Sequence, residues 1–253
     1  EVEDPELLSK VLSAIARKMA EAGMRERAKE VFKRAVEAAK EMEEPWNCSG
    51  ALGLIAREMA EAGFTDLARM LFREAVKVAK ECEDVEERLD ALTMVAEEAE
   101  EAGMRKLSER VFEEALEVAK DIEEPYQRLE KLIEITGEMA EIGLKKRAEE
   151  WFEELLEGVR RLERRATRWR LLAKIAREIA GMGRKKWAEE VFREALKEAG
   201  RIRDKEHCLR ALKGIATNMA EAGMEEQAEE VLKGAVEVAE GLKGTKKRST
   251  ALA

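Results

Sequence analysis

Six glycines, Gly23, Gly63, Gly103, Gly143, Gly183 and Gly223, each close an Ala-Glu-Ala-Gly phrase or a near variant, and successive ones lie 40 residues apart. A period held without slippage over six copies is the mark of a stacked helical-repeat array, in which each unit buries its apolar face only against its neighbours. The whole chain, 1–253, therefore reads as one solenoid with repeats 5–44, 45–84, 85–124, 125–164, 165–204 and 205–244. Residues 245–253 fall in the register of a truncated seventh copy, and Glu1-Val-Glu-Asp4 in the register of a preceding one.

The first copy shows how each unit is built. Asp4 before Pro5 is an N-cap followed by proline at the first helical position. Leu8, Val11, Leu12, Ile15 and Met19 then form a stripe at helical spacing. Gly23 stops this helix, and Met24 follows it as the apolar partner of a Schellman ending. A second helix carries Ala28, Val31, Phe32, Ala35 and Met42 on one face. Neither helix can bury its stripe alone, so twelve main helices are expected, with left-handed turns at the six glycines.

These slots resemble the tetratricopeptide repeat. Leu12, Ile15, Ala16, Gly23, Ala28, Phe32 and Ala35 match that family's pattern of apolar, small, turn and aromatic positions. The next copy repeats it as Leu52, Ile55, Ala56, Gly63, Ala68, Phe72 and Ala75. The likeness extends over nearly the whole chain and implies an all-α, right-handed α-α superhelix. It departs from the family in its 40-residue period and in Lys40 and Lys80, which stand where a closing proline is usual. The reading is a TPR-like array with lengthened helices.

Chemistry is sparse. His207 is the single histidine, and one histidine without a second ligand at helical spacing does not make a zinc site. Gly181-Met-Gly183 lacks the strand that a phosphate loop requires. Cys48, Cys82 and Cys208 are odd in number and scattered, which suits a reducing, cytoplasmic setting rather than a disulfide framework. No apolar run approaches the ~18 residues of a membrane span. Charged residues make up 41% of the chain and amides are few, a balance that fits a thermostable protein. The expectation is no enzyme, no cofactor and no metal.

The charge pattern is the one strong irregularity. Arg160 to Trp187 holds eleven basic residues against Glu163 and Glu178, in a chain whose net charge is −9. This run is either a solvated face neutralised by neighbouring glutamates or a docking site for an acidic partner. Trp169 within it is larger than its counterparts Ser9, Ser49, Leu89, Leu129 and Leu209, and packing between repeats is its favoured role.

In the family that this chain resembles, first helices line the concave groove. That carry-over implies a groove face with Arg17, Arg57, Asp90, Glu97, Glu130, Arg170, Arg177, Arg210 and Lys213 as candidate binding residues. Small residues at Ser13, Gly53, Thr93 and Ala173 would leave room for an incoming chain, and Gly50, Gly53 and Gly137 suggest a close approach. The expected function is a non-enzymatic scaffold binding a peptide or protein segment in that groove. The alternatives are a nucleic-acid or ribonucleoprotein adaptor using the Arg-rich fifth repeat, and an engineered or reconstructed scaffold without a natural ligand. End-to-end self-association through apolar ends, with Leu7, Leu8 and Val11 at one of them, is a further expectation, and no membrane partner is expected.

Overall fold

The computed structural model describes residues 4–163 and 165–250. Its elements are helices in antiparallel pairs, and no strand occurs among the described residues. The chain divides into two compact units, residues 1–123 and 124–253, each described here by itself. The first unit holds α1 (Pro5–Glu21), α2 (Arg25–Lys40), α3 (Pro45–Glu61), α4 (Thr65–Ala79), α5 (Val85–Glu101) and α6 (Arg105–Ala119). The second holds α7 (Pro125–Glu141), α8 (Lys145–Arg161), α9 (Arg165–Gly181), α10 (Lys185–Gly200), α11 (Lys205–Glu221) and α12 (Glu225–Thr250).

Helix starts follow the capping chemistry. The Asp4 carboxylate accepts from the Glu6 and Leu7 amides at 2.9 and 3.4 Å, and Asp84 accepts from Glu86 and Glu87 at 2.8 and 3.0 Å. These bonds satisfy amides that the first turn of a helix leaves without partners. Helix ends follow the glycines. All six turn glycines have φ between 70° and 96°. In the first turn Met24 N–H donates to Met19 C=O and Gly23 N–H to Ala20 C=O, both at 2.9 Å. That pair of bonds is the Schellman motif, and it recurs at every glycine turn.

Two glycines near one turn make a direct test. Gly183 has φ +88° with open space where a Cβ would lie, whereas Gly181 ends α9 at an ordinary φ, also in open space. Gly183→Ala is expected to cost about 1–2 kcal/mol through backbone strain alone. Gly181→Ala should instead be neutral or stabilise by up to about 1 kcal/mol. Urea denaturation of the two variants reads the sign, and equal effects would reject a left-handed turn at Gly183.

Within each unit, first helices pack directly on the next first helix: α1 on α3 and α3 on α5, then α7 on α9 and α9 on α11. Second helices pack on their own partners and on the next first helix, but not on one another to a similar extent. Closer approach on one side curves each unit with its first helices inside. The core repeats with the sequence: Phe32, Phe72, Phe112, Phe152 and Phe192 are all fully buried. Apolar faces remain open on α1, at Leu7, Val11 and Ile15, and on α12, at Leu232 and Val236.

One boundary differs from expectation. Helix α12 runs on through residues 241–244, where earlier copies turn, so no separate start appears at 245. Gly244-Thr245 stands where Glu44-Pro45 and Glu124-Pro125 begin a helix, so this copy lacks both the capping acid and the proline. Residues 251–253, with Ala251 and Leu252, lie outside the described residues.

Candidate functional site

The first-helix face divides into a closed layer and an open layer. Ser13, Gly53, Ile133 and Ala173 are buried, and Thr93 is 9% exposed. They lie on the first helices that pack successively within each unit. A Cβ on Gly50 would fall 2.6 Å from Met94 Sδ, one on Gly53 3.6 Å from Val95 Cγ2, and one on Gly137 3.0 Å from Glu178 Oε2. The close approach expected at Gly50, Gly53 and Gly137 is therefore made by the neighbouring first helix of the array itself, and the burial of Ser13, Gly53, Thr93 and Ala173 leaves no open room at those slots. Trp169 is explained in the same way. Its ring lies 2.7 Å from where a Gly214 Cβ would be, so a large side chain on α9 and a glycine on α11 make one complementary joint.

The open layer carries the charge. Arg17 Nε meets Glu58 at 2.5 Å and its Nη1 meets Glu61 at 3.0 Å, from α1 to α3. Arg57 repeats this one copy later, with Glu98 at 3.1 Å and with Glu101. In the second unit Arg177 Nη1 reaches Glu221 at 3.0 Å while its Nη2 holds Glu178 at 2.6 Å. In the first unit a cation one copy behind a pair of carboxylates thus links successive first helices, and in the second unit Arg177 reaches one carboxylate of the next copy while holding its own neighbour Glu178. Glu130 accepts from Lys174 at 3.0 Å, and Glu134 accepts from the same ammonium at 3.1 Å. Burial alone would lower the Lys174 pKa, but the two carboxylate hydrogen bonds more than offset it and hold the group above its ordinary value. Arg170 is exposed, with its guanidinium 5.5 Å from the Trp169 ring centroid. Asp90 and Glu97 are exposed on α5. Arg210 and Lys213 are exposed on α11, with no ion-pair partner among the described residues.

About half of the basic run that starts at Arg160 is paired inside the second unit. Arg160 holds Glu194 through two bonds at 2.9 and 2.7 Å, Arg161 holds Glu157 at 3.0 Å, and Arg184 holds Glu149 at 2.6 Å. Arg168 Nε donates to the Leu162 carbonyl at 2.9 Å. Arg88 does the same to Cys82 C=O at 2.9 and 2.8 Å in the first unit. Sequence reading found no role for arginine in that slot. Its signal is positional: Arg88 and Arg168 each stand one turn into a first helix and tie down a carbonyl left over from the preceding hairpin. Arg164 lies outside the described residues.

The remaining chemical candidates are structural. His207 Nδ1 lies 2.6 Å from Asp204, whose carboxylate also accepts the His207 amide at 2.8 Å, so this histidine belongs to a helix start. Cys48 and Cys82 are buried, and desolvation raises both thiol pKa values away from the reactive thiolate. Among the described residues no group of three or more His, Cys, Asp or Glu is placed to hold a metal ion, and no helix is long and apolar enough to cross a membrane.

No protein-family model and no curated protein sequence matches the chain. Solved structures do. A circular tandem repeat protein with novel repeat topology and enhanced subunit contact surfaces is similar over 97% of this chain and 73% of its own, at 21% identity and a TM-score of 0.52. Ton1535 from Thermococcus onnurineus NA1 is similar over 95% of this chain and 91% of its own, at 16% identity and a TM-score of 0.45. A putative kinesin light chain of Podosopora anserina with nearly identical TPR-like repeats is similar over 78% of this chain and 97% of its own, at 18% identity and a TM-score of 0.42. The first of these likenesses bears on the fold alone, and the chain is an all-helical repeat array.

Proposed function

We propose that the chain is a non-enzymatic scaffold whose first-helix face docks a peptide or protein segment. The observation that carries the reading is the contrast between constant and varied slots. The same phenylalanine is buried in five copies, while the slot of Lys10 becomes Gly50, Asp90, Glu130, Arg170 and Arg210 in turn. A face that varies from copy to copy over an invariant core offers a graded series of charges to a ligand. In the first unit the binding residues of this reading are Asp90 and Glu97 on α5, and in the second unit they are Arg170 on α9 and Arg210 and Lys213 on α11. Arg17, Arg57, Glu130 and Arg177 contribute while tied into the ion-pair ladder. The open apolar faces of α1 and α12 support end-to-end association as a secondary contact.

Charge reversal tests the docking face. A partner recovered from the native source by crosslinking and mass spectrometry is compared for association with wild type and with Arg210→Glu/Lys213→Glu. Association is expected to slow by about tenfold at low salt, and the difference should shrink as the Debye length falls to about 8 Å at physiological ionic strength. Unchanged association in this variant, with binding abolished by substitutions on second helices, would place the ligand elsewhere.

A further inference from the structure

The second-helix side of the first unit carries an apolar cleft of about 340 Å³ between α2 and α4. It exists because the curvature that closes first helices together spreads second helices apart. Its floor is Met59 and Phe64, with Phe64 packed edge-on against Phe32 at 5.8 Å and under the Arg25 guanidinium at 4.5 Å. The α2 bank presents Phe32 and Val36, and the α4 bank presents Leu67, Met70 and Leu71. Met70 is 64% exposed. Its slot is Glu30, Arg110, Glu150, Glu190 and Glu230 in the other copies. A methionine where every other copy keeps a charge is the one departure that turns a general wedge into an apolar surface.

We infer that this cleft docks a short amphipathic helix from a partner protein, apolar on one face and acidic on the flank turned toward α2. The length follows from the banks. Phe32 to Val36 and Leu67 to Leu71 each span about one turn, and Lys29 and Glu74 extend the lining to about two turns, or about 11 Å. A helix offering large apolar side chains at i, i+3 or i+4, and i+7 fits such a groove, and methionine adapts to the shape of its anchors. The charge follows from the rim. Lys29 and Lys33 stand one turn apart on α2, exposed and with no ion-pair partner among the described residues. Glu30 lies between them, while Glu74 on the opposite bank is held by Lys40 at 2.5 Å. Two free ammonium groups against one free carboxylate favour carboxylates spaced i, i+4 on the ligand. The corresponding cleft between α10 and α12 has Glu189 and Arg193 on its bank and Glu230 in the methionine slot, and so provides an internal control.

The probe is a synthetic helical peptide of about 14 residues with Phe and Leu at i, i+4 and i+7 and Glu pairs on one flank, together with a twin carrying Lys for Glu. Fluorescence anisotropy should show saturable binding of the acidic peptide. Met70→Glu, an exposed change to the residue of four other copies, should weaken it at least about tenfold with an unchanged circular dichroism melt. Lys29→Glu/Lys33→Glu should weaken the acidic peptide and improve the basic twin. Arg210→Glu/Lys213→Glu should leave both unchanged, which separates this cleft from the first-helix face. Amide chemical-shift changes should fall on α2 and α4. The inference is overturned by no binding up to about 1 mM, by equal binding of the twin, or by binding indifferent to Met70→Glu. Self-association that Met70→Glu abolishes would overturn it too, by assigning the cleft to a second copy of the chain.

Discussion

Truncation of Phe112 to alanine is expected to cost about 3–5 kcal/mol, among the largest losses that one residue here can produce. Phe112 is fully buried on α6, in the slot that four other copies also fill with phenylalanine. Removing the ring deletes its transfer free energy and leaves a cavity, because the helices on both sides are held by their own hairpins and cannot collapse into it. In an array, stability is a sum of unit and nearest-neighbour terms, so the loss concentrates on the third repeat. Leu232→Ala, at the same slot but 44% exposed, should cost far less. Guanidinium denaturation of both variants provides the comparison. A Phe112→Ala loss below about 1 kcal/mol would mean that the repeat does not depend on this core.

The turn glycines and the buried phenylalanines were legible because each obeys a local rule. A Schellman ending needs a left-handed residue at one position, and a core slot needs the same volume in every copy. The face of the first helices was half legible. Its charged slots are exposed or paired, whereas the small slots, which the pattern reads as room for a ligand, are buried. Gly53 lies against Val95 and Glu98 of the next first helix, and no periodicity distinguishes a helix of the array from an incoming chain. The basic run that starts at Arg160 shows the same limit. Arg160, Arg177 and Arg184 look like a basic patch along the sequence, while their glutamate partners Glu194, Glu221 and Glu149 lie 34 to 44 positions away. The α2–α4 cleft was not found from sequence because an apolar Met70 among charged neighbours has no helical period of its own. Alignment of the copies with one another was the available signal.

Glu98 should make the first unit's stability depend on pH near neutrality. Its side chain is 18% exposed and lies against Gly53, with Arg57 Nη1 at 3.1 Å. Desolvation raises its pKa most. Arg57 opposes this, Glu101, Glu97 and Glu58 add repulsion, and the net result is a carboxyl pushed up to about 7 from an ordinary 4.5. The folded state therefore holds the proton more tightly than the unfolded chain. Its stabilising effect is complete below pH 4.5 and is lost as pH rises through about 7, where a charged carboxylate must stay in the joint between α3 and α5. A shift of this size corresponds to at most about 3 kcal/mol, and about 2 kcal/mol after allowance for its partial hydration. Glu98→Gln removes the titration while Arg57 keeps Glu101 as its partner. The variant should match wild type near pH 4.5 and exceed it by about 2 kcal/mol at pH 8, measured by urea denaturation across that range. A difference that stays constant with pH would show that Glu98 remains charged throughout, and that the Arg57 ladder outweighs the cost of burying it.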